Sequence, residues 1–368
     1  MDVRRLELLR ELAERGSITE VARATHRTPS AVSQQLRVLE REAGLPLTEK
    51  AGRGIVLTDA GRALARSAVD VAVALERADS LWAEFRHDPT GEVSLATFPT
   101  GGQMLLPGVL HRLARLSGPV ALRERAADPA VPQPEPLALH GRAAERAHEG
   151  AAERASDPLV PRPGLLTLHA SDRDPVSERF PDLTNDFDVV IAHAPTLPPA
   201  LWQGRGLNIV HLMTEPLDVA LGPGHPLASE PSVTPADLIG EQWIGVPWGY
   251  PFEQTLYDIS AAAGAPVNIV QRFADTRVTE ALVAARLGIA ILPRYTAGGA
   301  YLTSSATSQR ISLKPLTGVR AERHIYALMR PDRAERLAVR TVVDALRAES
   351  AAIREANPTT GDHTANTR

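Results

Sequence analysis

The stretch from Ser17 to Leu57 constrains the fold of this chain more than any other part of the sequence. Its pattern predicts two short helices joined by a turn and followed by a small two-stranded wing. Ser17-Ile18-Thr19-Glu20 has the spacing of a capping box that would open the first helix. Thr28 and Pro29 would open the second, because threonine caps a helix N-terminus and proline in the first position needs no amide partner. Residues 25–27 interrupt the apolar stripe and are predicted to form the turn.

The second helix has two chemically different faces. Val32, Leu36 and Leu39 are spaced for burial on one side. The other side carries small or hydrogen-bonding side chains and one cation: Thr28, Ser30, Ala31, Ser33, Gln34 and Arg37. Such a face suits a helix lying in the major groove of DNA, where amides and hydroxyls contact base edges and arginine contacts guanine or phosphate. An ordinary solvent-exposed helix face is the alternative interpretation.

The segment after this helix predicts a β-wing. Residues 44–47 and 52–57 are predicted to form two short strands. Gly52 and Gly54 flank the tip of the turn, and both are expected to adopt a positive φ. Arg53 lies at the basic tip, where it would enter the minor groove of DNA; a surface turn without DNA contact is the alternative.

Together these residues resemble the winged helix-turn-helix of LysR-type transcriptional regulators. The family pattern G-x-P-L-F-x-R followed by L-T-x-A-G is matched here by Gly44-Leu45-Pro46-Leu47-Thr48-Glu49-Lys50 and by Leu57-Thr58-Asp59-Ala60-Gly61. Two positions depart from the family. Thr48 replaces a phenylalanine, which weakens one packing contact under the wing, and Pro29 replaces a glutamine that often contacts a base. The resemblance implies a sequence-specific DNA-binding regulator of transcription.

A long helix is predicted from Thr58 to about Arg86. Apolar residues recur along it at alternating spacings of four and three: Leu64, Ala68, Val71, Leu75, Ala78, Trp82 and Phe85. This heptad pattern is typical of a two-helix coiled coil, and the larger residues of the seam (Leu64, Val71, Leu75, Trp82 and Phe85) are the predicted dimerisation residues. One helix packed on its own domain is the alternative. In the family this segment pairs two subunits, which would place two DNA-contacting helices about 34 Å apart.

The rest of the chain alternates strands with helices, as α/β domains do. A strand at 92–98, a glycine-rich turn at 99–102 and a helix at 103–116 are predicted to open it, and a helix at 333–348 to close it. Residues 217–228 and 288–293 are similar to the family's V-A-L-x-x-x-H-P-L-A and G-x-A-x-L-P runs. The resemblance therefore implies a two-lobed, periplasmic-binding-protein-like effector domain. Residues 128–163 carry seven prolines and are predicted to be an extra helix held by loops, or a disordered excursion.

The predicted fold is multi-domain. An all-α winged helix-turn-helix N-terminal domain takes residues 1–58, a linker (dimerisation) helix takes 59–87, and an α/β effector domain takes 92–350. Lobe I of the effector domain is predicted at 92–194 plus 330–350, and lobe II at 195–329. The tail, 351–368, is expected to be disordered.

Three places are predicted to contact a small-molecule effector: Thr100-Gly101-Gly102, Trp248 and Thr276-Arg277. In open α/β sheets, ligands bind beyond the carboxyl ends of strands and at helix N-termini, and the matching positions in the family line the effector cleft. Amides and hydroxyls there would hold a carboxylate or similar anion, and Trp248 would cover an apolar body. The alternatives are helix caps for Thr100 and Thr276, a surface aromatic for Trp248, and a pair of Arg277 with Asp275 or Glu280.

Composition narrows the class of function. Residues 1–87 hold 14 Lys+Arg against 13 Asp+Glu, so DNA affinity must come from locally placed cations and from assembly as a dimer or tetramer. The chain has no Cys, its 11 His show no ligand spacing, and the common catalytic motifs are absent. No enzyme activity, metal or cofactor is therefore predicted. The sequence shows no signal peptide and no apolar run of membrane-spanning length, which predicts a cytoplasmic protein.

The predicted partners are double-stranded promoter DNA, further copies of the chain, a small-molecule effector for which an anion is one option, and RNA polymerase. The alternative function is a periplasmic-binding-protein-like solute sensor without a DNA role. That alternative explains residues 92–350 but leaves residues 1–86 without a purpose.

Overall fold

A computed structural model describes residues 1–52, 54–85, 91–117, 120–122, 166–195, 197, 200–297 and 311–357. The predicted DNA contact of Arg53 and the proline-rich segment 128–163 lie outside these residues. No helix in the described part of the chain combines the length and the apolar character that crossing a bilayer requires.

Three helices and a two-stranded wing form the N-terminal unit: α1 (Val3–Arg15), α2 (Ile18–Ala24), α3 (Pro29–Ala43), β1 (Thr48–Ala51) and β2 (Gly54–Leu57). Asp2 caps α1 by accepting the Arg4 amide at 2.8 Å, and Gly16 ends it with a φ of 68°. Completely buried residues from all three helices meet in the core of this unit: Leu9, Val21, Val32 and Leu39. Because this core uses only one face of α3, the polar face of that helix is left outside.

The two helices of the helix-turn-helix start differently. At α3 the prediction is confirmed, because the Thr28 hydroxyl accepts the Ala31 amide at 3.2 Å and Pro29 occupies the first turn. At α2 the capping-box prediction is wrong. The Ser17 side chain makes no capping hydrogen bond, and Glu20 Oε2 accepts instead from Arg23 at 2.9 Å. The arginine three residues along the helix competes for the carboxylate that a capping box requires.

The wing is held to α3 through Glu40. Glu40 Oε1 accepts three hydrogen bonds, from the amides of Leu47 and Thr48 at 3.0 and 2.9 Å and from the Thr48 hydroxyl at 2.9 Å. At Thr48, hydrogen bonds to Glu40 thus replace the packing that a phenylalanine would provide at this position. Gly52 has a positive φ of 58°, as predicted. The same expectation for Gly54 is wrong, because Gly54 is the first residue of β2 and pairs with Ala51.

Gly61 fixes the position at which the long helix α4 (Asp59–Phe85) meets the wing. A Cβ at this position would lie 2.0 Å from the Leu47 carbonyl oxygen. Thr58 closes the same corner, since its hydroxyl donates to the Pro46 carbonyl at 2.8 Å and accepts the Gly61 amide at 3.0 Å. The L-T-x-A-G run is therefore a packing motif that joins α4 to the wing.

The predicted heptad seam of α4 is divided in two. In the first half, Ala68 is buried and both Leu64 and Val71 pack against the core of the N-terminal unit, so this half follows the alternative in which the helix packs on its own domain. In the second half, Leu75, Trp82 and Phe85 are 46%, 65% and 72% exposed. The division arises because α1 contacts α4 and its leucines share one core with Ala65 and Ala68 in the first half of that helix.

The second unit is built on a sheet of eight strands among the described residues. The strands of this unit are β3 (Gly91–Thr97), β4 (Ala121–Leu122), β5 (Leu166–Asp172), β6 (Val189–Ala194), β7 (Asn208–Leu221), β8 (Gln242–Gly245), β9 (Asn268–Arg272), β10 (Ala290–Pro293), β11 (Ser312–Pro315) and β12 (Glu322–Met329). The large sheet has the spatial order β10-β7-β12-β6-β3-β5-β4, with β11 also paired to β7, whereas β8 and β9 form a separate parallel pair.

In the described part of this unit, five α-helices accompany the strands: α5 (Pro99–Ser117), α6 (Pro251–Ala263), α7 (Thr276–Ala284), α8 (Pro331–Glu335) and α9 (Leu337–Ala356). Helices α5 and α9 pack together on the sheet and bury Leu105 and Leu346 in the largest core. Two predictions are corrected here. The segment 99–102 is the first turn of α5 instead of a loop before it, and the closing helix continues through residues 351–356, which were expected to be disordered.

Strand β7 crosses from one lobe to the other. Its first part, 208–216, pairs with β12, which pairs in turn with β6. Its last part, 217–221, pairs with β10 and β11. Residues 208–214 and 322–329 therefore belong to the sheet of lobe I, although lobe II was predicted to span 195–329. We accordingly propose that the chain passes between the lobes near 215 and 321. The predicted boundaries differed because β7, which pairs with strands of both lobes, is longer than the sequence pattern indicates.

We expect Glu40→Ala to loosen the wing, because two amides and one hydroxyl would lose their common acceptor. Hydrogen bonds to a charged group contribute about 1.5–3 kcal/mol, and about 1.4 kcal/mol corresponds to a tenfold change in an equilibrium constant. Hydrogen–deuterium exchange of amides 47–57 should accordingly rise about tenfold or more. Glu49→Ala, which removes an exposed carboxylate from the same wing, is the matched control; equal exchange in the two variants would contradict the role of Glu40.

Candidate DNA-binding surface and inter-lobe cleft

The outward face of α3 holds the predicted DNA contacts. Those at its exposed positions are Thr28, Ser30, Gln34 and Arg37, and those half-buried are Ala31 and Ser33. The hydroxyls are engaged locally: Thr28 and Ser30 share a hydrogen bond of 3.0 Å, and Ser33 donates to the Pro29 carbonyl at 2.9 Å. Gln34 and Arg37 make no hydrogen bond with any residue that the structure describes. Their donors remain available to an outside partner.

A surface depression of about 730 Å³ lies at the C-terminal end of α3. Its lining is formed by Gln34, Arg37, Glu40, Arg41, Gly44, Leu45 and Pro46. Arg41 is exposed one helical turn after Arg37, and the nearby Glu42 is neutralised by Arg5 at 2.5 Å. Arg41 was not among the predicted contacts, although its i+4 spacing from Arg37 placed it on the same face. Two cations beside the polar face suit contacts to phosphate.

A buried ion pair that sequence analysis missed joins β12 to β7, next to the proposed passage between the lobes. Arg323 and Glu215 are 2% and 0% exposed, lie opposite each other on β12 and β7, and approach to 2.6 Å. The Arg323 guanidinium also lies over the rings of Phe98 and Phe252, 4.9 and 5.3 Å from their centroids. Sequence patterning could not pair these residues, because the register of two strands about a hundred residues apart is a tertiary property.

This ion pair changes the environment of the first predicted effector site. Thr100 is buried, and its hydroxyl accepts a hydrogen bond from Arg323 Nη2 at 2.9 Å. A Cβ on Gly101 would lie 2.6 Å from the Phe98 ring, and the Gly102 amide donates within the helix to the Phe98 carbonyl at 2.9 Å. The expectation that the Gly102 amide is free is therefore wrong, because the helix begins at Pro99 and uses it.

The second predicted site lies where the lobes touch. Trp248 is 68% exposed, and the Arg272 guanidinium lies 3.9 Å from its ring centroid, a cation–π distance. The Gly249 amide donates to Glu253 Oε2 at 2.8 Å. From lobe II, the Tyr250 hydroxyl reaches the Asp174 carbonyl of lobe I at 3.5 Å. Arg272 thus covers one face of the indole, and the rest of the Trp248 side chain is exposed near this contact between the lobes.

The third predicted site is the N-terminus of α7. Asp275 caps this helix by accepting the Arg277 amide at 2.9 Å, so a capping role for Thr276 is wrong. The Arg277 side chain pairs with Asp275 at 3.0 Å, as one of the alternatives predicted, yet remains largely exposed. Burial and the neighbouring Asp174 raise the pKa of Asp172, against the opposing charges of Arg173 and Arg277.

His193 is a second buried group that sequence analysis did not assign to the cleft. It is the fifth residue of β6, its Nε2 lies 3.0 Å from Asp174, and Phe98 and Phe180 meet its ring edge-on. Burial lowers the pKa of His193, against the raising effect of Asp174. Within the described ranges, no group of three or more His, Asp or Glu side chains is arranged to hold a metal ion.

Comparison with known proteins shows which protein family has this architecture. Residues 3–62 match the family model for the bacterial regulatory helix-turn-helix protein, lysR family, and residues 174–351 match that for the LysR substrate binding domain. The transcriptional activator CmpR of Synechocystis sp. is 22% identical over 94% of this chain and 95% of that protein. The transcriptional activator LysR of Escherichia coli is 24% identical over 85% of this chain and 84% of its own length. Full-length OxyR of Pseudomonas aeruginosa, in a cysteine-to-aspartate variant, has a TM-score of 0.55 at 16% identity, covering 94% of this chain and 95% of its own, a likeness of fold alone.

A winged helix-turn-helix, a long helix and a two-lobed α/β unit on one chain define a DNA-binding transcriptional regulator with an effector-binding domain. The chain belongs to the LysR family of such regulators. The predicted fold class and the predicted function of DNA-binding regulation are confirmed at this level, and the family's role is regulation of transcription instead of catalysis.

Proposed function

We propose that this regulator contacts the bases of promoter DNA mainly through Gln34 and Arg37 of α3, with the four small residues of that face in supporting contacts. The observation that carries the proposal is that these two side chains are exposed and unused by the fold, whereas the hydroxyls beside them are engaged locally. Amide and guanidinium groups can each make two hydrogen bonds to a base edge in the major groove. Arg41 adds a phosphate contact, and Arg53 is proposed at the minor groove.

We further propose the organisation in which residues 1–58 bind DNA, 59–87 mediate dimerisation and 92–350 form the effector domain. The regulator would act in the cytoplasm, with RNA polymerase as the partner through which DNA binding affects transcription. Three exposed apolar residues on the second half of α4 support a homodimer: Leu75, Trp82 and Phe85. Complete burial of each would contribute about 1.5–3 kcal/mol. A tetramer would require a further interface on the effector domain.

The effector is proposed to bind between the lobes, with an apolar body against Trp248 and an anionic group toward Arg277. The exposed indole supports the first contact, and the cation at the N-terminus of α7 supports the second. Thr100, Gly101 and Gly102 would act by shaping the inner wall, since the Thr100 hydroxyl already accepts from Arg323. Such a ligand needs a coupling free energy of only about 1–3 kcal/mol between cleft and DNA-binding unit.

The combined variant Gln34→Ala/Arg37→Ala should lose specific DNA binding, because each lost bidentate base contact costs about 1–3 kcal/mol of discrimination. Mobility-shift titration with the regulator's own promoter region measures this as a loss of at least about tenfold in specific affinity. Gln103→Ala/Arg347→Ala, which makes the same chemical changes far from α3, is the control. Retained specific binding in the first variant would show that another surface reads the DNA.

Leu75→Asp should convert the assembly to smaller species, because it places a carboxylate in the proposed apolar contact between two α4 helices. Analytical ultracentrifugation of the full chain measures the change in mass. Arg66→Asp puts the same carboxylate on the opposite side of α4 and should leave the assembly intact. An unchanged mass for Leu75→Asp would rule out this part of α4 as the dimer interface.

Binding in the cleft should quench Trp248 fluorescence. Of the four Trp residues, Trp202 and Trp243 are completely buried and Trp82 lies on α4, so Trp248 is the one that a cleft ligand would cover. A panel of aromatic and aliphatic carboxylates should include ligands that quench the wild type and the Trp82→Phe variant but not Trp248→Phe, and the matching amines should have no effect. Quenching that persists in Trp248→Phe would place the ligand elsewhere.

A further inference from the structure

A cluster of buried charges joins the N-terminal unit to lobe I of the same chain. Arg10 of α1 pairs with Asp332 of α8 at 2.7 Å. Arg330, the residue before α8, pairs with Glu11 at 2.9 Å and with Glu14 at 2.7 Å. Each of Arg10, Glu11, Arg330 and Asp332 is at most 7% exposed. These are among the least exposed charges of the molecule, and they lie outside both the DNA-binding surface and the cleft.

Helix α8 also contacts α4 and the sheet. Glu335 pairs with Arg77 at 2.9 Å, and the Glu335 carbonyl accepts from the Ser80 hydroxyl at 2.6 Å. Arg336 donates to Asp188 at 2.8 Å, and the other oxygen of that carboxylate accepts the Ser94 amide at the start of lobe I at 2.8 Å. We call residues 330–336 the α8 junction. It contacts α1, α4 and lobe I at once.

The chemistry of the junction favours specificity of docking over strength. Burying charges has a desolvation cost that offsets much of their attraction, whereas removing one partner leaves the other charge uncompensated. Two donors, Arg10 Nε and Arg330 Nη2, are buried without a hydrogen-bond partner, which lowers the net gain further. Burial would raise the pKa of Asp332, but Arg330 and Arg10 hold it below its ordinary value, so this carboxylate stays ionised. Such an interface has one defined geometry and little excess stability.

The junction is also connected to the cleft through a single strand. Strand β12 carries Arg323 in the cleft and ends at Met329, directly before Arg330. The strand lies between β6 and β7 inside the sheet, with one register shift against β7 between Ile325 and Tyr326, and its backbone links Arg323 directly to Arg330. From these contacts we infer that the α8 junction docks the DNA-binding unit on lobe I of its own chain and sets the orientation of α3 according to the state of the cleft.

The inference rests on the proposal that α3 contacts DNA, and a charge exchange across the Arg10–Asp332 pair tests it. The single variants Arg10→Asp and Asp332→Arg each place like charges in contact. Hydrogen–deuterium exchange in full-length protein without DNA should rise about tenfold or more in residues 3–15 and 330–336, and the DNase footprint on the promoter should change. The double variant Arg10→Asp/Asp332→Arg restores opposite charges across the interface and should return both measurements part of the way to wild type, because Arg330 and Glu11 also pair with the exchanged positions at 3.3 and 3.7 Å. The exposed pair on α9, exchanged as Arg347→Asp/Asp344→Arg, is the control.

Three results would overturn the inference: unchanged exchange in both single variants, failure of the double variant to restore protection, or altered exchange with an unaltered footprint. Circular dichroism and the double variant separate undocking from misfolding. Because exchange is measured without DNA, a wild-type chain that fails to bind DNA would contradict the proposed function but not the docking.

A mixed dimer of one Arg10→Asp chain and one Asp332→Arg chain should stay unprotected, since docking within a chain leaves both pairs mismatched. Restored protection would show docking onto the partner instead.

Discussion

The antiparallel pairing of β7 with β12 is the constraint on which the effector-binding unit depends. Glu215 and Arg323 lie opposite each other on these strands, next to the points near 215 and 321 where we propose that the chain passes between the lobes. An ion pair with both members buried is stabilised only when both are present, so its placement fixes the register of the strands. The rings of Phe98 and Phe252 and the hydroxyl of Thr100 then assemble around the guanidinium. The inner wall of the cleft is therefore a consequence of strand register.

The N-terminal unit is organised by a different principle, the division of α3 into two faces. One face is buried in the core through Val32, Leu36 and Leu39, and Glu40 is hydrogen-bonded to the wing. The exposed face of α3 therefore consists of the residues that neither the core nor the wing contacts. The same division recurs in α4, whose first half serves its own unit and whose second half leaves large apolar side chains exposed. A single helix thus carries an intramolecular and a proposed intermolecular contact in succession.

Local patterns in the sequence predicted the elements that depend on local chemistry. Thr28 and Pro29 defined the start of α3, and the spacing of Val32, Leu36 and Leu39 defined its buried face. The capping box at Ser17 failed because Arg23, one turn away, took the carboxylate of Glu20. The cleft was predicted only in outline: helix N-termini were found, but Arg323, Glu215 and His193 reach it through pairing between distant strands. The contacts of α8 with α1 depend on how two units dock, which no periodicity in the chain encodes.

The triple hydrogen bond at Glu40 has a mechanical consequence for the way this regulator meets a duplex. Because the acceptor belongs to the helix and two of its donors are backbone amides of the loop and strand beside it, helix and wing are parts of one rigid body. The distance between the proposed major-groove contacts of α3 and the proposed minor-groove contact of the wing is then fixed by the protein. Any mismatch with ideal B-form geometry must be absorbed by bending or narrowing of the DNA, so flexible base-pair steps under the wing would contribute to target choice without being touched.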